Sequence, residues 1–94
     1  MIKGVKDFVS DAKKIIKKEK IKINKLYEEI ADYETLICVI GQTDASEQVL
    51  YYREKINQCY SKLEISLENI KNSEDRIATM RAIDKIIKRS GRNA

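Results

Sequence analysis

The chain of 94 residues contains no proline, no tryptophan and no histidine, and only three glycines, two cysteines and one phenylalanine. Without proline and with so little glycine, it lacks the turn punctuation that sandwiches, barrels and α/β folds need. The absence of histidine removes the commonest metal ligand and the commonest catalytic acid or base. Cys38 and Cys59 are too few for a disulfide scaffold and do not have zinc-ligand spacing, so both are expected to serve as small apolar packing residues. The longest apolar run, Leu36 to Ile40, is five residues, far below the ~20 that span a bilayer. No integral membrane segment is expected. The start, Met1-Ile2-Lys3-Gly4-Val5-Lys6-Asp7, shows no apolar block followed by a small-residue cleavage site, which points to a cytoplasmic chain.

What remains is 43% hydrophobic and 36% charged, and its apolar residues are ordered. In steps of seven, the first forty residues give Ile2, Val9, Ile16, Ile23, Ile30 and Ile37, with a second series offset by three: Val5, Ala12, Glu19, Leu26, Tyr33 and Ile40. Only Glu19 interrupts it. A strict seven-residue repeat is the mark of a helix packed in a coiled-coil-like seam. The pattern stops at Gly41-Gln42-Thr43-Asp44. Glycine suits a left-handed residue just past a helix end, and Asp44 with Glu47 has the spacing of a capping box. A second seam follows through Val49, Ile56, Leu63, Ile70 and Ile77, accompanied by Tyr52, Cys59, Tyr60, Leu67, Met80 and Ile87.

About a turn at 41–44, the two seams match when run antiparallel, with Ile40 beside Val49, Tyr33 beside Ile56, Leu26 beside Leu63 and Ala12 beside Ile77. The expected fold is therefore all-α: a single 1–94 domain in which helices at about 3–40 and 45–89 form an antiparallel helical hairpin. Glu19 falls near Ile70 and Ser73, with Ser66 one heptad away. It is expected to lean out toward Lys20 or Lys22, the serines allowing close approach; a register-setting or partner-facing polar layer is the alternative.

A hairpin buries one stripe per helix. Phe8, Ile15, Ile21, Tyr27, Leu36, Tyr51 and Ile65 fall off that stripe and are the candidate partner-binding residues, with Val39, Leu50 and Ile86 beside them. Collectively they suggest that further helices, from a second copy or another protein, complete the core.

The net charge of +4 is unevenly spread. Residues 3–25 carry nine lysines against three acids, whereas residues 26–50 carry six acids and no lysine or arginine. Residues 51–75 sum to −1 and residues 76–94 to +5. Antiparallel folding would gather about +11 at the open end and −7 at the turn. The candidate basic patch is Lys13, Lys14, Lys17, Lys18, Lys20, Lys22 and Lys25 with Arg76, Arg81, Lys85, Lys88 and Arg89. Three roles fit it: solvation of a sticky rod, complementarity to a partner helix, or salt-sensitive and sequence-indifferent contact with nucleic acid or an anionic surface. The lysine half has no arginine for bidentate base contacts.

No nucleophile and base, glycine-rich phosphate loop or metal cluster can be assembled from this sequence, so a non-enzyme without catalytic residues, metal or cofactor is expected.

Two long helices about a glycine-containing turn, followed by Tyr51-Tyr52-Arg53-Glu54-Lys55-Ile56 and Cys59-Tyr60-Ser61-Lys62-Leu63, resemble the Trp-X-Gly helical-hairpin superfamily of type VII secretion. Within it, the similarity is to the small helical partners encoded with LXG toxins. Here the turn reads Gly41-Gln42-Thr43, and a Tyr-x-x-x-Glu resembling the export motif lies at Tyr60 to Glu64. The resemblance implies a chaperone-like adaptor that docks on the helical N-terminal domain of a toxin and accompanies it to export without a signal peptide. A small phage or bacterial nucleic-acid-associated protein and a self-assembling coiled coil are the other two expectations.

Overall fold

In the computed structural model, residues 3–41 and 46–92 are described. The chain is all-α. Two long helices, α1 (Lys3–Ile40) and α2 (Ser46–Arg92), form a helical hairpin. Of the described residues, all but Gly41 are helical. The expected turn residues 42–44 and the capping role of Asp44 lie outside the described residues.

The two helices pack as two units, one built from residues 20–67 and the other from residues 1–19 and 68–94. In the 20–67 unit, Leu26, Ile30, Cys59 and Leu63 form the buried cluster, with Ile23, Tyr33 and Ile56 packed against it. These are the seam residues of both helices, running antiparallel in the anticipated register. The Tyr33 and Tyr52 rings lie 5.7 Å apart at the edge of this cluster, and Tyr51 meets Tyr52 edge-on at 5.4 Å. Such ring pairs add roughly 0.5–1.5 kcal/mol beyond the area they bury.

The other unit has a thinner core. Val9 and Ala12 are its buried apolar residues, and Val5, Ile16, Ile70, Ile77 and Met80 are half-buried. Three polar residues are buried with them, Glu19, Ser73 and Asp84, and Ser66 is buried in the 20–67 unit. Glu19, expected to lean out toward Lys20 or Lys22, is instead buried, with only 6% of it exposed. Its seam position points it inward, and burial of a carboxylate is tolerable only when its polar atoms are satisfied. Among the described residues, no buried side-chain nitrogen or oxygen lacks a hydrogen-bond partner.

The residues expected on the flanks of the second seam divide into two sets, one exposed and one inner. Tyr60, Leu67 and Ile87 are 49%, 53% and 44% exposed. The inner positions of α2 instead follow Tyr52, Cys59, Ser66, Ser73 and Met80, seven residues apart, where two serines permit close helix approach. Cys59 is buried as anticipated, whereas Cys38, which lies off the seam, is exposed.

Gly41 ends α1 by a different device from the left-handed cap expected. No described glycine has a positive φ. The Gly41 N–H donates to the Ile37 carbonyl at 2.7 Å, and a Cβ at Gly41 would stand 2.9 Å from that same oxygen. Glycine is required there for room against backbone. Gly4 and Gly91 sit inside the helices with open space around them, and α2 continues through Gly91 to Arg92, past its anticipated end at 89.

Gly41→Ala is therefore expected to destabilise the protein by about 1–3 kcal/mol, the usual cost of forcing atoms into a packed site. Gly4→Ala and Gly91→Ala should each stabilise it by roughly 0.5–1 kcal/mol, because glycine within a helix loses more chain entropy than alanine. Urea titration followed by circular dichroism measures both signs. Leu63→Asp, which places an unpaired charge in the 20–67 cluster, should cost about 3 kcal/mol or more and abolish cooperative unfolding at room temperature.

Candidate interaction surfaces

A seven-residue seam fixes what flanks it. Residues just before the Val9 series (Phe8, Ile15, Leu36) emerge on one flank of α1, and residues just after the Val5 series (Lys6, Lys13, Tyr27) emerge on the other. In α2 the corresponding flanks carry Lys55, Lys62, Asn69, Arg76 and Ile83 on the first side, and Tyr60, Leu67, Glu74 and Arg81 on the second.

In the unit of residues 1–19 and 68–94 the two flanks differ in chemistry. On the first, Ile15 lines a shallow hollow of about 270 Å³ with Asn69, Asn72, Ser73 and Arg76. Phe8, 42% exposed, and Ile83, 39% exposed, lie along this same flank. On the second, Lys6, Lys13 and Arg81 surround a groove of about 520 Å³ floored by buried Val9 and edged by Ser10. Among the described residues, no carboxylate lines it. Lys88 lies further along α2, where its Nζ is held 3.2 Å from the Asp84 carboxylate.

Sequence reasoning placed Lys13 and Arg81 in the basic patch but missed Lys6 and Ser10, because it followed charge runs rather than heptad positions. Lys14, Lys17, Lys18, Arg76, Lys85 and Arg89 are exposed in the same unit and do not line the groove. Lys20, Lys22 and Lys25 belong to the 20–67 unit, so the expected basic patch is divided between the two units.

In the 20–67 unit, Leu36, Tyr51 and Ile65 are 40%, 54% and 59% exposed on the first flank, with Val39 beside them. The Lys55 ammonium sits 5.2 Å over the Tyr51 ring. Tyr27, Tyr60 and Leu67 occupy the second flank, and Ile21 faces outward. The seven anticipated partner-binding residues are all exposed, but they do not gather into one patch. This unit carries eight acidic and six basic residues, against seven and 13 in the other.

Cys59 is the chemically distinctive group of the 20–67 core. Its Sγ–H donates to Glu29 Oε2 at 3.5 Å. Burial foremost, then the hydrogen bond to the Glu29 carboxylate and that group's negative charge, push the thiol above its ordinary pKa. Lys62 and Lys55 oppose the shift in part. Among the described residues no three metal-ligating side chains converge, and no helix is long and apolar enough to cross a membrane. No family model, curated protein or solved structure matches the chain.

With its pKa raised in the folded state, Cys59 contributes stability in full below the ordinary thiol pKa, and that contribution is lost as pH rises through the folded value. The loss of stability between pH 8 and pH 10 should accordingly be smaller in Cys59→Ala. At pH 8, Ellman's reagent should label exposed Cys38 roughly tenfold faster than Cys59, with the difference vanishing in urea.

Proposed function

We propose that this chain is a non-enzymatic helical adaptor that completes its core on a helical segment of another protein. One observation carries the reading: six apolar side chains are buried among the described residues, fourteen large ones are exposed, and no side chain is completely shielded. Burying a large apolar side chain is worth ~1.5–3 kcal/mol. A hairpin that leaves so many in water has most of that energy still to gain from a partner. The first flank of the 20–67 unit, with Leu36, Val39, Tyr51 and Ile65, supplies large side chains at the helical spacing that receives an amphipathic helix.

The partner class follows from the sequence resemblance: the helical N-terminal domain of an LXG toxin, held in the cytoplasm and delivered with the adaptor to type VII export.

Calorimetric titration against such a toxin domain tests the proposal. The triple substitution Leu36→Ser, Tyr51→Ser and Ile65→Ser should leave helicity within a tenth of wild type and weaken binding by roughly a hundredfold or more, since hot-spot truncations cost about 2 kcal/mol or more each. A free protein that remains a monomer at every concentration, unfolds cooperatively and binds no such domain would overturn it. A concentration-dependent dimer with the same sensitivity to these three substitutions would assign the flank to a second copy instead.

A further inference from the structure

We infer that the basic flank of the unit formed by residues 1–19 and 68–94, centred on the groove between Lys6, Lys13 and Arg81, binds the phosphate backbone of duplex nucleic acid without reading its sequence. Three cations from two helices converge on one groove of about 520 Å³, and among the described residues no carboxylate lines it. Ser10 adds a hydroxyl donor to the lining, and buried Val9 is its apolar member. Helical spacing continues the same edge to Lys17 on α1 and to Lys71 and Lys85 on α2, all exposed, with Glu74 as the one acid among the described residues of that edge. Lys88 turns back to Asp84 and adds little.

This clustering is sharper than the composition of the unit requires. Asp7, Asp11, Glu68 and Asp75 lie at heptad positions away from the groove edge, and the exposed apolar residues Phe8, Ile15 and Ile83 emerge on the opposite flank. Cations segregated from both acids and apolar side chains form a surface for a solvated polyanion.

The side chains narrow the class. No aromatic residue stands on this edge, so the stacking platform that holds single strands is missing. Within this unit no large exposed apolar residue stands on the edge, which removes the inserted face of a membrane-surface helix. One arginine among lysines, with no asparagine or glutamine on the edge, fits phosphate contact and leaves base edges unread. The site is separate from the apolar flank of the adaptor reading and stands or falls independently of it.

Fluorescence anisotropy of the full chain with a labelled mixed-sequence duplex of about 20 base pairs tests the inference, with circular dichroism of every variant as the folding control. Affinity should be micromolar near 50 mM salt and fall at least tenfold by about 200 mM, as counterion release requires. Lys6→Glu, Lys13→Glu and Arg81→Glu together should weaken binding more than tenfold. The milder Lys6→Gln, Lys13→Gln and Arg81→Gln should still reduce the salt slope by roughly 2–3. A matched control, Lys14→Glu, Lys18→Glu and Arg89→Glu, makes the same change in net charge off the groove and should cost less than threefold. Equal losses from the two charge-reversal triples would overturn the groove. So would absence of binding at low salt, or binding indifferent to salt. Tighter binding to phosphatidylserine vesicles or to poly-glutamate than to the duplex would overturn the nucleic-acid assignment.

Discussion

A seam between two helices can shield side chains at only two of every seven positions, and this geometric limit governs the rest of the molecule. In α1 the non-exposed described residues are those two series and no others, from Val5 through Val9, Ala12 and Ile16 to Ile37 and Ile40. Every further apolar residue must stand in water or find a partner outside the hairpin. The isoleucines and tyrosines left exposed are the consequence of a sequence richer in apolar residues than one seam can hold. That surplus carries the adaptor reading, because burial of one or two such side chains already equals a large fraction of a small domain's stability.

The seam is not uniform. Leucine, isoleucine and cysteine dominate it in the 20–67 unit, where Ser66 is the one buried polar residue among those described, while Glu19, Ser73 and Asp84 enter it in the other. Each buried polar group replaces apolar contact with an interaction whose net value is smaller, since desolvation offsets much of the gain. Polar residues within a helical seam can set its pairing register at a cost in stability, and Glu19 and Asp84 occupy such positions. Serine at 66 and 73 adds to this, because small side chains bring the backbones close at defined levels.

Periodicity made the fold legible from the sequence almost to the residue. The α1 seam, the antiparallel register and the exposure of Phe8, Ile15, Ile21, Tyr27, Leu36, Tyr51 and Ile65 could all be read from spacing. Legibility failed where chemistry was weighed above position. A charge at Glu19 suggests a side chain leaning out to Lys20 or Lys22, yet its heptad position buries it, and Tyr52, Cys59 and Met80, grouped with Tyr60 and Leu67 on the flanks of the second seam, are inner positions while those two stand exposed. Gly41 was read for its conformational freedom, whereas its φ is ordinary and its value is the missing Cβ beside the Ile37 carbonyl. Backbone proximity of that kind leaves no trace in a residue pattern.

The same distinction separates charge runs from charged surfaces. A run such as Lys17-Lys18-Glu19-Lys20 spreads its residues around the helix, so its members face different neighbours and one of them, Glu19, faces the core. Lys6 and Lys13, seven apart in sequence, face together toward Arg81. Local potential depends on which charges share a solvent-exposed volume, with a reach of about 8–10 Å at physiological salt. Residues three heptads distant on one edge are beyond that reach, while a lysine across the seam is within it. A groove with three cations can therefore concentrate a polyanion in a chain whose formal net charge is only +4, and net charge summed along the sequence does not locate it.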